Sequence, residues 1–164
     1  MNKLFTSFAV LLLLCGCFKT DKTKLTINTE NGPIAYYVET ASTLKELETG
    51  LMNRESLARD SGMLFDLSQV KGTITAMWMK DTKLSLDMLF LTKEGDIFWI
   101  KENAEPYSEE LIIAPFPAAA VLEVNGGDVA KNHIKVGQRV EHDLFKKLSK
   151  EKTEPISEEN LIAE

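Results

Sequence analysis

The feature that most constrains this chain is an apolar pattern of period two, which starts at Lys24 and continues to His142. Short apolar runs alternate with polar positions and are separated by turn residues, a pattern typical of strands in an all-β sandwich or barrel. We therefore predict a compact, mainly β single domain over residues 24–148. The strand candidates are residues 25–29, 34–40, 63–67, 74–79, 86–91, 97–101, 118–125 and 138–142.

One helix interrupts this pattern, and its start has a clear chemical signal. Thr43 is a good N-cap, and Glu46 stands three residues later, so that each side chain can accept a hydrogen bond from the other's backbone N–H. Leu44, Leu47 and Leu51 then follow at helical spacing and predict an apolar stripe against the sheet. We expect one short α-helix over about residues 43–52.

Two segments fall outside the predicted fold of strands and helix. Residues 102–117 contain three prolines, which favour a loop or a sheet edge. Residues 149–164 are acidic and have few residues to bury, which predicts a disordered tail.

The N-terminus has the form of a secretory signal. Lys3 is followed by an apolar run that is too short to span a membrane, and small residues precede a cysteine. Leu14-Cys15-Gly16-Cys17 resembles the bacterial lipobox, which predicts cleavage after residue 16 and lipidation of Cys17. The alternative is a plain signal peptide with an unmodified Cys17. Residues 17–23 are then the lipidated cysteine and a short tether.

The predicted anchor sets an expectation for location and excludes disulfides. Phe18, which follows the modified cysteine where some sorting signals have Asp, favours the outer membrane, facing the periplasm, if the cell is Gram-negative. Several acyl chains together hold a protein stably on a bilayer. Cys15 leaves with the signal and the lipid modifies Cys17, so the mature chain has no disulfide.

Charge and motifs exclude several classes of function. Removing residues 1–16 takes Lys3 and no acidic residue, which changes the formal net charge from −6 to −7. An acidic chain without a basic stripe is unlike a nucleic-acid binder. His133 and His142 have no companions at metal-ligand spacing, and no phosphate-binding loop or known catalytic motif is present. We therefore expect no metal and no cofactor.

Five short motifs, in order, resemble the bacterial and archaeal family catalogued as domain of unknown function 192. The resemblance covers about residues 24–142 and implies a compact, mainly β domain with one short helix, but it implies no activity. The family usually has Asn where this chain has Asp81, and Ala where it has Gly126. The motifs are Gly50-Leu51-Met52-Asn53-Arg54, Gly62-Met63-Leu64-Phe65, Trp78-Met79-Lys80-Asp81-Thr82, Leu86-Asp87-Met88-Leu89-Phe90 and Val121-Leu122-Glu123-Val124-Asn125-Gly126-Gly127.

Two carboxylates interrupt otherwise apolar strands. Asp87 and Glu123 each cost several kcal/mol to desolvate unless they are paired or hydrogen-bonded. Arg54 follows the predicted helix and is the expected partner for one of them, since a guanidinium can hold a carboxylate through two hydrogen bonds. The alternatives are a structural ion-pair network and a ligand site. As an acid and base, Asp87 and Glu123 could also act in glycoside hydrolysis, if their carboxyls face each other across a cleft.

A further candidate group lies at the end of the fourth predicted strand. Trp78 and Lys80 fall on one strand face and lead into the polar Asp81-Thr82 turn, so they could line a sugar or peptide groove. The alternative is that Trp78 belongs to the core, that Lys80 is solvated and that Thr82 only forms the turn. Trp99 is predicted to be a core residue.

These observations lead to one functional hypothesis and two alternatives. The leading hypothesis is a lipid-anchored cell-envelope module that binds a small ligand, a glycan or a protein. Its predicted binding patch consists of Arg54, Trp78, Lys80, Asp81, Thr82, Asp87 and Glu123. The alternatives are a hydrolase of an envelope polymer that uses Asp87 and Glu123, and a purely structural envelope protein.

Overall fold

The computed structural model describes residues 21–151. The predicted signal, Cys17 and residues 152–164 lie outside the described residues. The described chain is mainly β, as the period-two pattern predicts, and it carries three short helices. The elements are β1 Thr23–Thr29, β2 Gly32–Ala41, α1 Leu44–Thr49, β3 Ser61–Asp66, β4 Ala76–Met77, β5 Leu86–Leu91, β6 Ile97–Ala104, β7 Ile112–Ile113, β8 Ala120–Asn125, α2 Asp128–Lys131, β9 Arg139–Glu141 and α3 Asp143–Glu151.

Seven strands form one curled sheet, a half-barrel, in the order β6-β5-β8-β3-β2-β1-β9. β1 and β2, which correspond to the first two predicted strands, form a hairpin, and Gly32 adopts φ of 106° at its turn. β2 and β3 run parallel, which a tight hairpin cannot connect, so α1 and the loop after it make the crossover. β4 and β7 form a separate two-stranded ribbon. Residues 102–117, the segment predicted to be a loop or a sheet edge, contain the end of β6 and all of β7.

The strand alternation produces two apolar clusters, one on each face of the sheet. α3 covers the first face, and the side chains of Leu144, Phe145 and Leu148 belong to that cluster. The loop after α1 and the β4–β7 ribbon cover the second face. Leu51 of that loop is buried in the second cluster, and Met77 and Ile112 of the ribbon pack against the same cluster. Burial on both faces explains why β3 and β5 read as nearly continuous apolar runs.

α1 has the predicted start but a different buried surface. Thr43 and Glu46 make both hydrogen bonds of the capping box. The helix ends at Thr49, before Gly50, and Leu51 is buried as expected. Leu44, however, is 81% exposed, so the prediction that it faces the sheet was wrong. It stands in the first turn of a helix that has no buried residue.

The sequence pattern predicted one helix, and α2 and α3 were missed. α2 is only four residues long and follows Gly127, which adopts φ of 85°. α3 extends three residues beyond position 148, so the predicted boundary between the domain and the tail lies too early. Its apolar side chains are spaced helically and pack on the first core cluster.

Candidate functional site

Three loops meet at one end of the sheet and build an exposed surface, here called the loop surface, from residues 52–55, 78–83 and 105–108. Backbone hydrogen bonds join them: the Asn53 N–H donates to the Asp81 carbonyl oxygen at 2.8 Å, and the Tyr107 N–H donates to the Thr82 carbonyl oxygen at 2.9 Å. Lys83 and Glu55 add a salt bridge between the first two loops. The loops therefore hold one another in fixed positions.

Each of these loops contains a non-glycine residue with positive φ. The values are 59° for Asn53, 52° for Asp81 and 61° for Tyr107. Asn and Asp tolerate this left-handed region comparatively well, but a tyrosine there is uncommon. Such conformations cost free energy and tend to cluster at functional sites. Their convergence makes the loop surface a candidate site.

The side chains on this surface combine aromatic and charged groups. Trp78 is 37% exposed, and the Lys80 Nζ lies 5.3 Å from the centroid of its ring, within cation–π range. The Asp81 side chain is exposed, and Tyr107 is 62% exposed. Trp78 is thus on the surface rather than in the core. Flat aromatic faces beside polar groups suit contact with a partner that is partly apolar.

Thr82 has a structural place in the turn that carries these residues. It is buried; its N–H donates to the Met79 carbonyl oxygen and its hydroxyl to the Lys80 carbonyl oxygen, at 3.1 and 3.0 Å. Both hydrogen bonds stabilise the turn that presents Lys80 and Asp81. Thr82 therefore acts as a turn former and has little surface left for a ligand.

Arg54 makes a bidentate ion pair, but with a partner that the sequence did not indicate. Its two terminal nitrogens lie 2.7 and 2.6 Å from the two carboxylate oxygens of Glu39 on β2. The hydrogen bonds to Glu39 raise the pKa of Arg54 above its ordinary value. The prediction that Arg54 pairs with Asp87 or Glu123 was wrong, because both of those carboxyls belong to strands farther across the sheet. Glu39 itself was missed.

Asp87 holds backbone groups together. It is fully buried, and its two carboxylate oxygens accept hydrogen bonds from the Asn103 N–H at 2.7 Å and the Val129 N–H at 2.8 Å. Asn103 has φ of 48° near the end of β6, and Val129 lies in the first turn of α2. Asp87 therefore fixes an irregular strand end and a helix start, which accounts for its burial.

Glu123 lies on β8 with Met63 of β3 on one side and Met88 of β5 on the other. It is 3% exposed, and both of these methionines belong to the apolar cluster on the second face. Burial disfavours the charged form, which raises the pKa of Glu123 to about 8. The group is therefore mainly protonated at neutral pH.

The strand register separates Asp87 from Glu123. In the β5–β8 pair, Asp87 stands opposite Val124 and Met88 stands opposite Glu123. Because successive side chains on a strand point to opposite faces, the two carboxyls lie on opposite sides of the sheet. They cannot face each other across one cleft, so the geometry does not support the acid–base pair required for glycoside hydrolysis.

A cleft that the sequence reasoning missed lies beside the loop surface. It has a volume of about 310 Å³ and is lined by Trp99 and Lys101 of β6, by Glu105, Ser108 and Glu110 of the following segment, and by apolar residues next to and in β7. The Trp99 ring also packs on Phe90, with 4.7 Å between centroids, so its predicted core role accounts for only part of its surface. The spacing of Trp99 and Lys101, two residues apart on one strand face, was the available signal. We call this feature the edge cleft.

Residues 21–151 contain neither a cluster of metal-ligating side chains nor a membrane-spanning helix. In that range, no three side chains of the His, Cys, Asp and Glu types are placed to hold a metal ion together. Across the same residues, no helix has the length and apolar character needed to cross a bilayer.

Comparison with known proteins assigns the family. The family model DUF192, described as "Uncharacterized ACR", matches residues 25–142. The chain belongs to the DUF192 family. No curated protein shows a sequence match to this DUF192 chain.

Solved structures of similar fold include the following two proteins. A Sinorhizobium meliloti protein named as a proposed transcription regulator is 41% identical, with a TM-score of 0.70 over 75% of this chain and 95% of that one. A Novosphingobium aromaticivorans protein of unknown function is 34% identical, with a TM-score of 0.70 over 74% of this chain and 85% of that one.

Proposed function

We propose that this DUF192 protein is a lipid-anchored module of the cell envelope that binds a partner through its loop surface. The observation that supports the binding role is the convergence of Asn53, Asp81 and Tyr107, each with positive φ, in hydrogen-bonded loops that expose Trp78 and Lys80. A surface that is held rigidly before binding loses less conformational entropy when the partner arrives.

The proposed anchor depends on Leu14-Cys15-Gly16-Cys17 and on the short distance from there to the fold. β1 begins at Thr23, only six residues after Cys17. A fully extended chain of that length spans about 20 Å. The domain would therefore be held close to the membrane, and its partner would be another envelope component within reach of that surface.

The proposal assigns different parts to the residues of the predicted patch. Trp78, Lys80 and Asp81 contact the partner, and Thr82 shapes the turn that carries them. Arg54 holds the loop after α1 against β2 through its ion pair with Glu39. Asp87 and Glu123 are buried and take no part in contact. Hydrolysis is not proposed, because the two carboxyls lie on opposite faces of the sheet.

The regulatory role in the name of the Sinorhizobium meliloti protein belongs to that protein. It is not proposed for this chain, whose formal net charge is −6. A DNA-binding surface needs basic groups to neutralise phosphates, and it would release counterions on binding.

Photocrosslinking in cells tests the binding role. A photoreactive phenylalanine analogue replaces Tyr107, which is 62% exposed on the loop surface, or Tyr37, which is 51% exposed on β2 and serves as the matched control. We expect a discrete adduct from position 107 that is lost in Lys80→Ala, and none from position 37. Equal adducts from both positions, or none from position 107, would contradict the proposal.

The anchor has its own test. Wild-type protein should incorporate labelled fatty acid and sediment with membranes, whereas Cys17→Ser should do neither. If the Cys17→Ser protein stays membrane-bound, or if wild type takes up no label, the lipoprotein assignment is wrong even when the crosslinking result stands.

A further inference from the structure

In the described part of the chain, the two outer edges of the half-barrel approach each other next to β6 and β9. Where β6 begins, Asp96 and Arg139 form a bidentate ion pair with both distances at 2.9 Å. The Ile97 N–H donates to the Gln138 carbonyl oxygen, and the Gly137 N–H donates to the Ile97 carbonyl oxygen, at 2.9 and 2.8 Å. These bonds join β6 to the segment that leads into β9.

Beyond Ile97 the outer edge of β6 is open. β6 is the last strand of the sheet, with β5 as its neighbour, and within residues 21–151 no other strand bonds to the backbone of residues 98–104. An open edge presents unpaired N–H and C=O groups that can accept another strand. Seven residues of strand extend about 23 Å, enough to pair with a hexapeptide.

The edge cleft lies beside this open strand. Trp99 and Lys101 project from β6 into it, and Leu111 and β7 supply an apolar wall. A peptide added to an open edge gains affinity from its backbone hydrogen bonds and specificity from pockets for alternate side chains. The cleft offers such a pocket for side chains on one face of an added strand.

The charges around the cleft favour a basic occupant. Glu102, Glu105, Glu109 and Glu110 all occur between residues 102 and 110, a stretch that contains no Lys or Arg. Glu105 and Glu110 line the cleft itself together with one cation, Lys101, so its charged lining has two carboxylates and one ammonium. A second copy of this chain is disfavoured, because pairing two β6 edges would bring the acidic segments of both copies together.

We propose that the edge cleft binds an extended peptide that alternates apolar and basic residues and that adds to β6 as an extra strand. This inference rests on the proposed binding function and names its class of partner. The aromatic face of Trp99 and the apolar wall contact the peptide's apolar side chains, and Glu105 and Glu110 attract its basic ones.

The experiment uses the mature chain with Cys17→Ser, labelled for NMR, and three capped hexapeptides. The first alternates valine and lysine, the second alternates valine and glutamate, and the third is the valine–lysine peptide with N-methyl groups along one edge. We expect that only the first of the three peptides binds. It should slow hydrogen exchange of the backbone amides of residues 98–102 that point away from β5. N-methylation should abolish binding, because it removes the donors that pair with β6.

Charge variants test the acidic rim. Glu105→Gln and Glu110→Gln should each weaken binding of the valine–lysine peptide by about two- to fivefold, as expected for exposed charge pairs. Glu48→Gln, an exposed glutamate on α1, should change nothing. At high salt, where these charges are screened, the difference in peptide affinity between each variant and the wild type should be smaller.

Several results would overturn the inference. They are failure of the valine–lysine peptide to bind at millimolar concentration, equal binding of the acidic or N-methylated peptide, and protection of amides away from β6. Binding of a chitin or cellulose oligosaccharide in the cleft instead would identify a glycan site. If the peptide fails while crosslinks still form at position 107, the partner class is wrong but the binding function stands.

Discussion

Replacing Glu123 with Gln should stabilise this protein at neutral pH and remove a large part of its pH dependence. The pKa of Glu123 is 4.5 in the unfolded chain and about 8 in the folded one. Between these values the folded state keeps a proton that the unfolded state has lost. Unfolding therefore releases a proton, and stability falls as pH rises, by about 1.4 kcal/mol for each pH unit.

The size of this stability change follows from the difference between the two pKa values of Glu123. At pH 7 the wild type has lost about 3 kcal/mol relative to acidic conditions, and the loss continues until pH passes about 8. Gln has a similar shape and is neutral at every pH, so Glu123→Gln lacks this loss. For a domain of this size, about 1 kcal/mol corresponds to roughly 4 °C in Tm. We therefore expect the Tm of Glu123→Gln, relative to that of wild type, to be several degrees higher at pH 7 than at pH 5.

Thermal melts of both proteins from pH 5 to pH 8 measure this effect. The difference in Tm should be small at pH 5, which is close to the unfolded-state pKa of 4.5, and should grow as pH rises toward 8. Glu48→Gln is the matched control, and its difference from wild type should stay constant. If the Tm difference does not change with pH, or if Glu123→Gln is less stable than wild type at pH 8, Glu123 is not a buried protonated acid.

Three further substitutions test structural parts of the site by urea unfolding. Arg54→Ala removes the bidentate contact with Glu39 and should cost about 1–2 kcal/mol, a modest value because Arg54 is partly exposed; no change would show that the pair is not formed in solution. Asp87→Asn keeps one acceptor oxygen for two N–H donors and should cost about 2–3 kcal/mol, and a neutral result would contradict the assigned role. Gly62→Ala places a Cβ 2.6 Å from the Glu123 carbonyl oxygen and should cost about 1–3 kcal/mol; a stable variant would refute that close packing.

The local elements of this fold were predictable because short sequence patterns specify them. The β1–β2 turn, the capping box of Thr43 and Glu46, and the alternation of the strands each depend on residues close together in the chain. The same reasoning missed α2, which is too short to show a helical period, and it ended the domain before the last turn of α3. Motif spacing alone was enough to indicate the DUF192 family.

For the site, the sequence identified chemically unusual residues but not their partners. Trp78, Lys80 and Asp81 were found because an aromatic and charges precede a turn, and the structure places them on one exposed surface. The edge cleft was missed, since it forms between β6 and a segment that reads as a loop.

Asp87 and Glu123 show why tertiary structure was needed. In the sequence both are carboxylates inside apolar strands, and nothing local distinguishes them. The register of β5 against β8 places them on opposite faces, where one meets two N–H donors and the other meets apolar side chains. Sequence determined that these strands are buried. Which groups meet across the sheet was decided only by the pairing of distant segments, because a shift of one residue in register reverses the face of every side chain.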